Sequence, residues 1–168
     1  MEPLDDAVDH VRGPSAAPLI VEYGDYECPY SRRAFRQIER VERQLGNGVR
    51  FAFRHFPLTE IHPHALAAAA AVEAAALQDR FWDMTELLFR GQQALEDSDL
   101  RRYADQLGLD AGVFDRDRAS ARVLERIERD VESGIASGEV HGTPTLFIDG
   151  VVHRGAYDEA TLLAALGR

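Results

Sequence analysis

Leu19-Ile20-Val21-Glu22-Tyr23 is a near-continuous apolar run bounded by Pro18 and Gly24. A run of that kind suits a central strand covered on both faces. After Ser31 the pattern changes period: Phe35, Ile38, Val41 and Leu45 recur at three- and four-residue spacing, with Arg32, Arg33, Arg36, Glu39, Arg40 and Glu42 between them, until Gly46-Asn47-Gly48. This predicts an amphipathic helix with a glycine stop. Val49 to Phe56 then alternates apolar with polar or small residues before Pro57, which predicts a second strand. Strand, helix and strand with a short return form a βαβ unit, whose strands are parallel with a right-handed crossover. The fold class is therefore α/β.

The remaining chain is placed by its own signals. Residues 1–17 mix acids with Gly13-Pro14-Ser15-Ala16-Ala17 and hold no sustained period, so they are read as an arm leading to the first strand. Residues 61–132 contain no convincing strand. Helical signals run over His64 to Leu77, Arg80 to Arg90, Leu100 to Leu107 and Arg118 to Glu132, with Asp97-Ser98-Asp99 and Asp110 as N-caps. Phe81, Met84, Leu87 and Leu88 share one face, and Trp82 is read with them as core. Thr145 to Ile148 and Val151 to Arg154 are short β-type runs joined by Asp149-Gly150, a hairpin signal. A last helix spans Asp158 to Leu166. The expected organisation is an arm at 1–17, one α/β unit made of 18–60 with 133–168, and an all-helical insertion at 61–132.

Composition removes several function classes. A chain of 168 residues with 45% hydrophobic and 29% charged residues can bury one full core. Its net charge of −10 argues against nucleic acid and against anionic membrane surfaces, both of which need clustered cations. The stretch from Ala65 to Ala76 is too short to span a bilayer, and Met1 to Asp6 lacks the basic and apolar regions of a secretory signal. The sequence as written is expected in the cytoplasm as a monomer; a leader removed ahead of residue 1 would place it outside. With one cysteine no internal disulfide can form.

Three motifs in order, Glu-Tyr-Gly-Asp-Tyr-Glu-Cys-Pro-Tyr (22–30), Phe-Arg-His-Phe-Pro-Leu (53–58) and Gly-Thr-Pro-Thr-Leu-Phe-Ile-Asp-Gly (142–150), resemble those of the DsbA-like branch of the thioredoxin fold, and the likeness covers nearly the whole chain. The resemblance implies a thioredoxin-like fold and a thiol-disulfide oxidoreductase with two active-site cysteines separated by two residues. This chain has Ser31 at the second position, and an alcohol cannot resolve a mixed disulfide. Either the protein is a natural monothiol form or it is a Cys-to-Ser variant of a dithiol enzyme. The resemblance further implies a buried proton-relaying acid at Glu22, a cis-proline at Pro144, and substrate contacts from Pro29, Tyr30 and the backbone of Thr143.

Cys28 is the expected nucleophile. Amide groups at a helix N-terminus, together with Arg32 and Arg33, favour a thiolate, and the Ser31 hydroxyl is placed to donate to the sulfur. Asp25 and Glu27 oppose this and are expected to point into water. His141, three residues before Pro144, is a candidate neighbour of the sulfur. His62 and His64, with His55 nearby, lack a set of four ligands at a known spacing, so no metal is expected. No cofactor is expected beyond glutathione as a co-substrate, and the partners are protein or low-molecular-weight thiols and disulfides. Two alternatives stay open: a kappa-type glutathione transferase or isomerase, whose relatives carry serine where this chain has Cys28, and a non-catalytic module that holds extended peptides beside Pro144.

Overall fold

The computed structural model describes residues 1–168. Five strands form one sheet: β1 (His10–Arg12), β2 (Leu19–Gly24), β3 (Arg50–His55), β4 (Thr145–Ile148) and β5 (Val151–Val152), in the order β1-β3-β2-β4-β5. β2 and β3 are parallel, with Glu22 opposite Phe53, and the other neighbouring pairs are antiparallel. The helices are α1 (Pro29–Leu45), α2 (Ala65–Ala76), α3 (Phe81–Arg90), α4 (Asp97–Gln106), α5 (Ala111–Arg118), α6 (Ala121–Ala136) and α7 (Glu159–Ala165). This is a mixed α/β thioredoxin-like fold.

Strand alternation divides the core. Ile20, Phe51, Phe53, Leu146 and Ile148 face one side, where they meet Phe35, Ile38 and Val41 of α1 and the apolar residues of α2 to α4. Val21, Tyr23, Ala52 and Phe147 face the other, in a smaller cluster with Val140. Glu22 keeps phase with Ile20, so its carboxylate points to the α1 side. α2 is alanine on nearly every side and buried on nearly every side; small side chains let its neighbours pack close.

Two differences from the sequence reading are structural. The N-terminal segment is more than an arm, because His10–Arg12 pairs with Phe51–Phe53 as an edge strand. Three residues are too few to show a period, and what fixes them is tertiary: Asp9 receives Arg54 Nε and Nη2 at 2.9 Å each, with both side chains buried. The helix expected from Arg118 is broken at Ala119, where Ser120 caps α6 by accepting from Val123 N, and α6 runs on to Ala136 against β3. At the hairpin, Asp149 and Gly150 both take positive φ, +47° and +82°, as a two-residue turn requires.

Candidate active site around Cys28

β2 ends at Gly24, and the chain turns through Asp25, Tyr26 and Glu27 to place Cys28 at the N-cap of α1. Gly24 is needed there: a Cβ on it would lie 2.5 Å from Phe53 Cε2 and 3.0 Å from Glu22 Oε1. Pro29 occupies the first helical position, where its missing N–H costs nothing. No side chain caps this terminus, so the amides of Tyr30 and Ser31 remain as helix-end donors beside the sulfur.

Cys28 is buried, at 3% exposure, and its Sγ donates to the carbonyl of Thr143 at 3.3 Å. The Thr143–Pro144 bond is cis. Thr143 Oγ1 is buried without a partner. Pro29 and Tyr30 lie exposed next to the thiol, Tyr30 at 62%. Cys28, Pro29, Tyr30, Thr143 and Pro144 therefore share one surface, with Cys28 and Thr143 in direct contact.

Glu22 lies beneath this surface with no exposure and no partner for either carboxylate oxygen. Burial raises its pKa well above the usual glutamate value, and the nearby Cys28 charge adds to the rise. A neutral carboxylic acid is the form such a position favours. Tyr157, from the segment before α7, also feels this charge: burial raises its pKa, Cys28, Tyr30 and Glu22 add to the rise, and Arg33 opposes them.

Three placements differ from expectation. Ser31 does not donate to the sulfur; its buried hydroxyl accepts from Asp25 N at 3.2 Å, since the turn folds back over the first helical turn. Asp25 and Glu27 do not point into water. Asp25 is buried, and its carboxylate accepts from Glu27 N at 2.8 Å, Leu58 N at 2.9 Å and His62 Nδ1 at 2.7 Å. Glu27 accepts from His64 N at 2.7 Å and contacts His64 Nδ1 at 3.0 Å. The His62-Pro63-His64 pair is thereby used to pin the acids before Cys28, while His55 points elsewhere. His141 is exposed and forms no hydrogen bond with Cys28.

One participant was invisible in the sequence. Gln92, in the loop after α3, donates Nε2 to the carbonyls of Tyr26 and Cys28, both at 2.8 Å. Carbonyl oxygens only accept, so the amide orientation is fixed by chemistry. Nothing in the local pattern of Gly91-Gln92-Gln93 signals this, because the contact spans more than sixty residues.

A sheet of this order, a helix starting at a lone thiol and a cis-proline loop across from it define a thioredoxin-type protein. A family model described as "Thioredoxin" matches residues 5–168, and the chain belongs to that family. Among solved structures, a thioredoxin-like oxidoreductase from Silicibacter pomeroyi DSS-3 superposes with a TM-score of 0.85 at 25% identity, covering 97% of this chain and 92% of that one. Alpha-DsbA1 from Wolbachia pipientis gives 0.81 at 20% identity (98% and 91% covered), and BdbD from Bacillus subtilis 0.81 at 21% (97% and 93% covered). The fold is DsbA-like. Curated relatives include proteins named Na(+)/H(+) antiporter NhaA 1 from Mycolicibacterium gilvum (strain PYR-GCK), 47% identical over 99% of this chain and 27% of that protein, and NhaA 3 from Salinispora tropica (strain ATCC BAA-916 and its equivalents), 45% identical over 99% and 25%. The chain spans about a quarter of the length of these relatives. No helix of the structure is long and apolar enough to cross a membrane.

Proposed function

We propose that the protein is a single-cysteine thiol-disulfide exchange enzyme in which Cys28 forms mixed disulfides with protein or glutathione substrates. The observation that carries this reading is the contact of Cys28 Sγ with Thr143 O at the uncapped start of α1. In the resting thiol the S–H is held by that carbonyl. On ionisation the bond is lost, the sulfur is repelled by the carbonyl oxygen, and helix-end amides become its better partners. The thiolate attacks one sulfur of a substrate disulfide R–S–S–R′, forming Cys28–S–S–R and expelling R′–S⁻. A second thiolate, R″–S⁻, then attacks the R sulfur and returns Cys28 as thiolate with R–S–S–R″ as product. Glu22 serves as the nearby proton store, and Pro29, Tyr30 and Thr143 border the bound chain.

The kinship with antiporters adds one partner class to this reading: thiols on a membrane portion joined to such a domain. The test is direct. Wild-type protein incubated with glutathione disulfide is expected to gain one glutathione, released by a second thiol; Cys28→Ala gains none; Ser31→Cys discharges the adduct by closing its own disulfide. Adduct formation no faster than with free cysteine would sink the proposal.

A further inference from the structure

Folding builds a histidine-carboxylate cluster well apart in sequence from the thiol. His10 on β1, His55 at the end of β3 and Glu73 within α2 meet so that one carboxylate oxygen, Glu73 Oε1, lies 2.8 Å from His10 Nε2 and 2.7 Å from His55 Nε2. The three candidate donor atoms all fall within 4.8 Å of one another. His55 is fully buried, Glu73 nearly so, and His10 retains 19% of its side-chain exposure.

We propose that His10, His55 and Glu73 form a binding site for a divalent transition metal of the zinc type, with a fourth position open to water. The donor set is two imidazoles and a carboxylate, which suits zinc and its borderline neighbours and leaves one position free. A cavity of about 460 Å3 reaches His10 and Glu73; Arg122, Arg126 and Arg129 also line it, with Glu125 among them. Donors bound tetrahedrally at about 2.0–2.2 Å sit about 3.3 Å apart, so each nitrogen-oxygen pair here needs to open by about half an ångström.

Glu73 Oε1 already faces both rings, and neighbouring aromatic side chains orient those rings toward it. His10 stacks on Phe81 with centroids 3.6 Å apart, and His55 packs against Tyr26, Phe53 and Phe81. Ligation requires the Nε2 lone pairs, so the hydrogens now on Nε2 leave or move to Nδ1, and uptake is accompanied by proton release. The bond to Glu73 holds that hydrogen on Nε2 of His55 at present, and Nδ1 has no partner, so it is free to take the hydrogen when a metal replaces it.

The test uses the full chain, as wild type and as Cys28→Ala, stripped with a chelator and titrated with Zn2+ and then Co2+. Both proteins are expected to bind one equivalent, and Co2+ is expected to give the visible absorption of a four-coordinate nitrogen-oxygen site without a thiolate band. His10→Ala should weaken binding by more than the roughly tenfold lost on removing even an outer partner of a ligand, whereas the double variant His62→Ala/His64→Ala should bind normally. Zn2+ should also protect His10 of the wild-type chain from diethylpyrocarbonate, which needs no variant to fold. Absence of a saturable equivalent, loss of binding in Cys28→Ala, undiminished binding in a folded His10→Ala, or unchanged His10 modification under Zn2+ would each overturn the site.

Discussion

Replacing Gln92 with alanine removes the only side chain that holds two carbonyls of the Cys28 turn at once. The two bonds are not equal. Cys28 O also accepts from Arg32 N at 3.2 Å and keeps that partner, whereas Tyr26 O receives no other donor in the turn. A hydrogen bond whose surviving partner stays satisfied costs about 1 kcal/mol, and one that strands a half-buried carbonyl costs about 1–3 kcal/mol. The sum is about 2–4 kcal/mol, and a chain of this size shifts its melting midpoint by about 2–4 °C per kcal/mol. The midpoint of thermal unfolding followed by circular dichroism should therefore drop by about 4–16 °C, and the alkylation rate of Cys28 by iodoacetamide should change because the sulfur loses its fixed place. Gln92→Glu sharpens the test. An ionised carboxylate faces two carbonyl oxygens and destabilises further, while the protonated acid can donate one hydrogen, so its deficit should shrink on acidification and that of Gln92→Ala should not. A loss under about 0.5 kcal/mol, the scatter of neutral surface changes, with unchanged alkylation would refute the role of Gln92 in holding the turn.

Two further outcomes are expected. Glu22 is buried with its pKa raised, so the folded state keeps a proton that the unfolded state releases above the ordinary value of 4.5; stability relative to Glu22→Gln is highest below that pH and declines through the interval up to the raised value, then stays level. Parallel urea titrations from pH 4 to 9 measure this, and curves that stay parallel would remove Glu22 as a proton store. Asp9→Asn should cost about 3–5 kcal/mol, as breaking one side of a buried ion pair does, because Arg54 would remain buried near Arg126 and Arg129. Burial alone would raise the pKa of the Asp9 carboxylate, but the Arg54 hydrogen bonds, the Asp5 amide and the charges of Arg54 and Arg126 together hold it below 3.8, so this contribution is present above that pH and fades as acid protonates the group; guanidinium unfolding at pH 7 and pH 3 compares the two.

The legible parts of this protein were those encoded over a few residues. The strand before Gly24, the helix to Leu45 and the Asp149-Gly150 turn carry their period or their φ requirement in adjacent positions, and the observed elements agree with them. Glu22 was readable as buried because Ile20, Val21 and Tyr23 surround it. What failed was pairing at a distance. The acids Asp25 and Glu27 find His62 and His64 thirty-seven residues away, and Asp9 finds Arg54 across forty-five. Charge alone made water the natural destination for these acids; only the fold supplies enough donors to bring a carboxylate inside. Histidines adjacent in sequence suggested one group, and the fold sorts them into two.

The turn before Cys28 is anchored from three directions: Gln92 from beyond α3, Leu58 and His62 from the junction, and Ser31 from its own helix. Gln92 and His62 reach it from the segment between β3 and β4. The helices between β3 and β4 thus help to shape the turn before Cys28. A shortened protein that deletes these helices and rejoins the sheet would keep Cys28 at a helix start yet lose the contacts that hold its turn in place.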